Sequence, residues 1–363
     1  MDEAHARAVL ARAPGLTAEA LAALSAASGG DLALAASPRA LVRVELPPAT
    51  RSFLAAPSER RIAADLDWLA QSRAAILLST DAAYPPLLKA TVGAPAALYV
   101  QGPVELLATR QLAMVGSRSP TPAGRSTARE FAAWFARAGL TVTSGLATGI
   151  DAASHEGALQ GGGATIAVFG TGLDQVYPGA NRALTERIRT HGALVSEFPP
   201  GTAPLHKNFP QRNRIIAGLA LGTLVVEAAR RSGSLITARL AIEAGREVFA
   251  IPGSIHSPLS RGCHQLIKAG AKLVEEARDV TEELGFSVPE ERLTQAARPL
   301  ASDRELDKEY EMLLDALGFE PATIDSLVAR TELPSESIAS MLLILELEGR
   351  VAALPGGRFG RIP

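Results

Sequence analysis

The sequence predicts an α/β protein, with a doubly wound, Rossmann-like parallel sheet at its centre, a small helical domain before it and a winged helix after it. Two observations carry the centre. Between about residues 75 and 285, short continuously apolar runs alternate with amphipathic stretches, as in βαβ units whose sheet is covered on both faces. The loops that close those runs combine glycine with serine or threonine and open into helices. A change of texture at either end carries the flanks: Ala/Leu-rich helical spacing up to about residue 70, and a pattern of three helices and a hairpin after residue 303.

The elements follow in order. Over residues 1–70 the helical spacing breaks at Pro14-Gly15, Gly29-Gly30 and Pro47-Pro48, giving short helices around tight turns. Over 75–285 the strand candidates are Leu112–Val115, Leu140–Ser144, Thr165–Phe169, Leu194–Glu197, Thr223–Glu227, Val248–Ile251 and Lys272–Val274. Helical stretches between them include Ala123–Ala138, Ile150–Gln160, Arg182–His191 and Leu235–Ala244. Pro289 and Pro299, among charged and small residues, mark a linker over 286–302. In the last segment, 303–363, helices at Arg304–Leu317, Ile324–Arg330 and Ser337–Leu347 precede a hairpin at Val351–Phe359.

Composition excludes several classes. A length of 363 residues implies two or three domains, and 47% hydrophobic residues are enough for buried cores and too many for a largely disordered chain. Aromatics at 4% exclude a recognition surface built of many stacked rings. The single cysteine, Cys263, permits neither an intramolecular disulfide nor a cysteine-based zinc site. The chain starts acidic, without the apolar stretch of a secretory signal, and its longest apolar run, Ile215–Val226, is 12 residues. A membrane span needs about 20, so a cytoplasmic protein without a membrane segment is expected.

In open α/β sheets ligands bind beyond the carboxyl ends of the strands. The residues there are Gly116-Ser117-Arg118-Ser119, then Ser144-Gly145-Leu146-Ala147-Thr148-Gly149, then Gly170-Thr171-Gly172 with Tyr177-Pro178-Gly179-Ala180-Asn181-Arg182. Further along come Arg231-Ser232-Gly233-Ser234-Leu235-Ile236-Thr237 and Pro252-Gly253-Ser254. Glycine allows close backbone approach, and free helix N–H groups and hydroxyls donate to anionic oxygens. Any doubly wound fold needs glycine turns, but several such loops on one sheet edge favour a phosphate or phosphodiester ligand. No Gly-Lys pair occurs, which disfavours a P-loop ATPase, and no G-x-G-x-x-G follows the first strand, which disfavours NAD. No cofactor is expected. The histidines lack metal-ligand spacing, so no metal is expected either, and His155 beside Glu156 reads as a core or helix-face contact. Asp151, Asp174 and Glu197 at strand ends leave two options, a carboxylate pair or caps and arginine partners.

Charge is distributed unevenly. The formal net charge is −2, yet residues 201–272 hold ten basic side chains against three acidic ones. Within them, His206-Lys207-Asn208-Phe209-Pro210-Gln211-Arg212-Asn213-Arg214 reads as a cationic, amide-rich loop. Its Arg–Asn–Arg alternation could set both guanidiniums and the amide along one phosphate track, or its arginines could pair with nearby acids.

Five of these segments, in order, resemble the DprA/Smf family of DNA-processing proteins: Met114–Arg118, Ser144–His155, Phe209–Gly218, Arg231–Ala238 and Ala250–Ser254. The resemblance implies a sterile-alpha-motif-like domain over 1–70 and a Rossmann-like domain over 75–285 that binds single-stranded DNA and forms a homodimer. It also implies loading of the RecA recombinase onto incoming strands in natural transformation, and possible use in repair. The implied DNA-binding residues are Gly116, Ser117, Arg118, Ser144 and Gly145, then Asn181 and Arg182, then Lys207, Phe209, Arg212, Asn213 and Arg214, with Ser232, Gly233, Ser234 and Thr237. Many relatives carry lysine where this chain has Gly179, which shifts that contact to Arg182. The surface around His264, Ile267 and Leu273 corresponds to the dimer and RecA-facing region, or else is an ordinary sheet-covering helix.

The 303–363 segment carries 12 acids and 6 bases, so weak or no duplex DNA binding is expected of its winged helix. A non-enzymatic DNA chaperone is therefore the leading expectation. The alternative is a hydrolase of the nucleoside-monophosphate phosphoribohydrolase type, for which Glu227 ahead of Ser232-Gly233-Ser234 offers an acid, although the Pro-Gly-Gly-x-Gly-Thr run of such enzymes is absent.

Overall fold

A computed structural model describes residues 2–40, 44–286, 308–318 and 320–362. The protein is α/β, with helices on both faces of a mostly parallel sheet, a small N-terminal helical region and a winged helix at the C-terminal end. The expected linker, apart from Phe286, and the beginning of the helix expected at Arg304 lie outside the described residues.

Five helices open the chain: α1 (Glu3–Arg12), α2 (Ala18–Ala27), α3 (Leu32–Ala35), α4 (Pro48–Ala55) and α5 (Glu59–Ser72). Asp2, Thr17 and Asp31 cap the first three by accepting N–H groups three residues on. Leu10, Leu21, Leu24, Leu54 and Ile62 are buried and form one core with Leu78 and Ala97 of the sheet. Two arginines tie these helices down. Arg7 grips Asp81 with both terminal guanidinium nitrogens (2.6 and 3.0 Å), and Arg12 bonds Asp65 and also the Pro200 carbonyl (3.0 Å).

The central elements are β1 (Ala75–Leu78), α6 (Pro86–Lys89), β2 (Ala97–Gln101), β3 (Gln111–Val115), α7 (Pro122–Arg137), β4 (Thr141–Ser144), α8 (Ile150–Gln160), β5 (Thr165–Val168), α9 (Arg182–His191) and β6 (Ala193–Ser196). They continue with α10 (Asn208–Leu219), β7 (Gly222–Val225), α11 (Ser234–Glu243), β8 (Glu247–Ala250), α12 (Arg261–Lys268), β9 (Lys272–Leu273) and α13 (Ala277–Glu283). The nine strands lie in the order β1-β2-β6-β5-β4-β3-β7-β8-β9. Alternate residues of β3 supply opposite faces. Ala113 and Val115 join the core under α10 and α11, while Leu112 and Met114 join the core under α7 and α8. A strand buried on both faces reads as a continuous apolar run, which is why these strands are visible in the sequence.

Two expectations are refined by the structure. The sheet is not wholly parallel: β1 pairs β2, and β2 pairs β6, antiparallel. Tyr99 and Gln101 of β2 interrupt its apolar pattern, which hid the strand. The cationic run around Arg212 is not a loop, since Asn208–Leu219 is helical with Pro210 in the first turn, where its missing N–H costs no bond. The apolar run Ile215–Val226 is split between the end of α10 and β7. Among the described residues no helix is long and apolar enough to cross a membrane.

The C-terminal unit comprises α14 (Lys308–Leu317), β10 (Ala322–Thr323), α15 (Ile324–Thr331), α16 (Ser335–Leu347), β11 (Val351–Leu354) and β12 (Arg358–Arg361). Leu313, Leu327, Ile338, Leu342 and Val351 form its own core, and the hairpin β11–β12 takes β10 as a third strand.

Candidate functional site

The strand order reverses between β3 and β7. The chain leaves β3 for β4, β5 and β6 on one side, then returns through α10 to β7, β8 and β9 on the other. Such a switch point opens a crevice beyond the carboxyl ends of the two strands. Here it is a cavity of about 470 Å³, walled by the Gly116–Ser119 loop, the first turns of α10 and the Arg231–Ser234 loop that leads into α11.

The loop after β3 is held from below. The Ile150 N–H donates to the Ser117 carbonyl (3.0 Å), and the Thr148 hydroxyl donates to that of Arg118 (3.2 Å). Gly149 adopts φ +84°, and a Cβ there would lie 2.3 Å from the Ser117 oxygen, so only glycine fits without a shift. The arrangement leaves the Arg118 side chain exposed, with its guanidinium carbon 6.0 Å from the centre of the Phe209 ring. Phe209 also meets Tyr177, with ring centres 5.4 Å apart and planes tilted by 40°.

Helix α10 presents Phe209, Arg212, Asn213 and Ile216 to the cavity, the spacing of one helical face. Arg212 is 4% exposed. It donates to the carbonyls of Gly145 and Val168, and its Nε donates to Asn213 Oδ1 (3.0 Å). Asp151, also buried, sits on the same floor, where its carboxylate accepts the Ala147 N–H (3.3 Å). Their shared burial pushes both toward their neutral forms. The Asp151 carboxyl rises against the pull of Arg212, and the Arg212 guanidinium falls to about 10, which still leaves it charged at neutral pH.

On the far wall Ser232 and Ser234 share a hydroxyl–hydroxyl bond (2.7 Å), and Thr237 adds a third hydroxyl beside Gly233. The cavity therefore has a cationic guanidinium, an aromatic face and several neutral donors above a floor in which positive and negative charge are balanced. That set suits a phosphodiester with an adjoining base.

Of the expected site residues, Gly116, Ser117, Arg118, Phe209, Arg212, Asn213, Ser232, Gly233, Ser234 and Thr237 line this one cavity. The others do not. Ser144 is buried and donates to the Met114 carbonyl (2.6 Å). Gly145 lies behind Arg212, where a Cβ would come within 2.4 Å of the guanidinium carbon. Asn181 donates to the Leu146 carbonyl (2.8 Å), while Arg182 lines a neighbouring cavity. Lys207 is exposed just ahead of α10. Arg214 is paired with Glu197 (2.6 and 2.7 Å) and donates to the Gly93 carbonyl, so it faces the N-terminal helices instead. His264 meets the Gly253 carbonyl (2.9 Å), Ile267 packs on the core, and Leu273 is exposed on the edge strand β9.

Sequence reasoning passed over Tyr177 and Arg231 as site residues. Arg231 stood next to the Ser-Gly-Ser run and could have been included with it, whereas the Tyr177–Phe209 pair joins residues too distant in the chain to be read from spacing. Glu227, the acid of the hydrolase alternative, lies outside this cavity. It accepts the Thr121 N–H (3.0 Å) and hydroxyl (2.6 Å) at the start of α7, and burial raises its carboxyl against those two bonds. His155 is a core residue, bonded to the Thr165 hydroxyl (2.7 Å). Among the described residues no group of three His, Cys, Asp or Glu side chains could hold a metal ion.

The sequence model described as DNA recombination-mediator protein A matches residues 75–285, the segment that builds the sheet and the cavity. The chain belongs to the DNA recombination-mediator protein A family. The family's DprA winged helix domain matches residues 295–357. The Escherichia coli protein Smf is 44% identical over 309 residues, covering 84% of this chain and 82% of its own. The Streptococcus pneumoniae DNA processing protein DprA is 49% identical over 206 residues, 57% of this chain and 73% of its own. The X-ray structure of the latter protein superposes with a TM-score of 0.62 at 37% identity, covering 78% of this chain and 97% of that one. DNA processing protein A from Helicobacter pylori, whose structure concerns its single-stranded DNA binding mode, superposes with a TM-score of 0.54 at 27% identity, covering 60% and 98%. Family membership sets the protein among DNA-processing proteins.

Proposed function

We propose that the switch-point cavity holds the backbone of single-stranded DNA, and that the protein is a non-enzymatic mediator that protects incoming strands and loads RecA recombinase onto them. The exposed Arg118 guanidinium over Phe209, facing the Ser232–Ser234 donors across the cavity, carries this reading. Backbone contacts of this type carry little base information, so sequence preference should be low. Strand protection needs no bond cleavage, which fits a floor where Asp151 is held beside Arg212, with Glu227 outside the cavity and engaged by Thr121. The test is a titration of single-stranded against duplex oligonucleotide over a range of salt, with and without Arg118→Ala. Tight, salt-sensitive binding of the single strand supports the reading, whereas salt-independent binding, or an unaffected variant, overturns it.

A homodimer formed through α12 and β9 belongs to the same proposal. The edge strand β9 exposes Leu273 and unpaired backbone groups, and Ile267 lies half-buried beside it. Leu273→Glu should halve the mass measured in solution, and a monomeric wild type would refute the assignment. RecA loading is read out as faster filament formation on oligonucleotide in the presence of the protein. The acidic winged helix is assigned weak or no duplex binding, and the work is placed in the cytoplasm.

A further inference from the structure

Beyond the loop that follows β5 lies a second cavity, of about 410 Å³, walled by Trp68, Arg73, Val176, Arg182 and Arg189 among others. Trp68 and Arg73 come from α5 and its end, before residue 75, so they stand outside the segment matched by the family. The loop after β5 connects the two cavities. Tyr177 of the loop stacks on Phe209 on one side, and its neighbour Val176, with Arg182, lines the other.

Charge in the second cavity is net positive, with Arg73, Arg182 and Arg189 against Asp174 and Glu186. Arg189 is engaged by Glu186 and Gln101, and Asp174 accepts the Gly201 N–H with both oxygens (2.9 and 3.0 Å). Arg73 and Arg182 are exposed, and among the described residues their side chains have no hydrogen bond or ion pair. Arg73 adopts φ +53°, a conformation that glycine takes without strain. Trp68 is half-buried and packs, as Leu69 and Ile76 do, against the core that holds Tyr99, Leu173 and Ile188, which fixes the indole at the cavity wall. Arg12, bonded to Asp65 of α5 and to the Pro200 carbonyl, holds this helix against the sheet region.

We propose that a bound single strand runs on from the switch-point cavity, over Tyr177, into this second cavity, with Arg73 and Arg182 on its phosphates and Trp68 against a base. The inference rests on the single-strand reading above and assigns the N-terminal helices a part in it. Paired free arginines beside an indole are the set that tracks a flexible strand without reading its sequence.

The experiment compares oligothymidylates of about 6 and about 20 nucleotides, lengths that span the site sizes of single-strand binding modules. Arg73→Gly removes the charge while relieving the strained φ, so the thermal midpoint should hold or rise. Its affinity for the 20-mer should fall about fivefold and the salt slope by about 0.7, while the 6-mer, held by the first cavity, is unchanged. Arg73→Lys should restore the slope. In a Trp134→Phe background Trp68 is the single tryptophan, and the 20-mer should quench it where the 6-mer does not. If the wild type binds neither oligonucleotide, the single-strand reading fails and takes this one with it. If it binds both, yet Arg73→Gly weakens neither or weakens both equally, or Trp68 emission stays unchanged with the 20-mer, only the second cavity is ruled out.

Discussion

Arg212 and Arg214 stand two residues apart on one helix and face opposite ways. The first turns inward onto the carbonyls of Gly145 and Val168, and the second clasps Glu197 beneath the N-terminal helices. Two residues on an α-helix are about 200° apart, so an Arg–Asn–Arg run that would form one track in an extended loop is divided between two sites.

Arg212 is therefore expected to act on the fold first and on DNA second. Arg212→Ala leaves two carbonyls and the buried Asp151 without their cation, at a cost of about 3 kcal/mol. Arg118→Ala, at an exposed side chain, should change stability by no more than about 0.5 kcal/mol while weakening single-strand binding and lowering the salt slope by about 0.7. Denaturant titration of both variants beside a binding isotherm separates the roles. An Arg212→Ala protein of normal stability would contradict the buried assignment.

Arg214→Ala should leave DNA affinity within twofold. Its pairing with Glu197, which is 9% exposed, makes the loss a matter of stability, about 2–3 kcal/mol, because the carboxylate is left without its partner. Restoring stability with Arg214→Met/Glu197→Leu would mark the pair as structural. A large loss of DNA binding in a stable Arg214→Ala protein would place this arginine back on the strand.

Gly145→Ala introduces a Cβ 2.4 Å from the guanidinium carbon of the buried Arg212. Displacing Arg212 should cost at least about 2 kcal/mol and lower DNA affinity with it. The measurement is a melting curve, and an unshifted midpoint would show that the floor is softer than its packing suggests.

Acid should destabilise the protein partly through His155. Burial, with the field of Arg212 added, lowers its pKa from 6.5 to about 3. The unfolded chain takes up this proton and the folded one does not, so the contribution present above pH 6.5 is lost as pH falls toward 3, by up to about 1.4 kcal/mol per unit. His155→Gln should flatten stability over that window. An unchanged pH profile in the variant would assign the acid sensitivity to other groups.

Much of the fold was legible in the sequence because parallel strands buried on both faces must be apolar throughout. Leu112–Val115 and Thr223–Glu227 show that plainly. β1 and β2 were not legible: the edge strand β1 is four residues long and begins at the exposed Ala75, while β2, between β1 and β6, carries the polar groups of Tyr99 and Gln101. For the candidate site, the glycine–hydroxyl loops marked the sheet edge on which the cavity lies. Whether a given side chain reaches the cavity depended on the rotation of its helix and on its partners: Ser144 on Met114, Asn181 on Leu146, Glu227 on Thr121.

The sequence alone thus determined the α/β class, the phosphate-suited edge and the uneven charge that concentrates cations in residues 201–272. Those properties depend on composition and local periodicity, which a linear chain displays. Only the tertiary structure decided which cations are available. Burial and ion pairing withdraw Arg212 and Arg214, while Arg118, Arg73 and Arg182 remain exposed, because availability depends on neighbours brought together from distant parts of the chain.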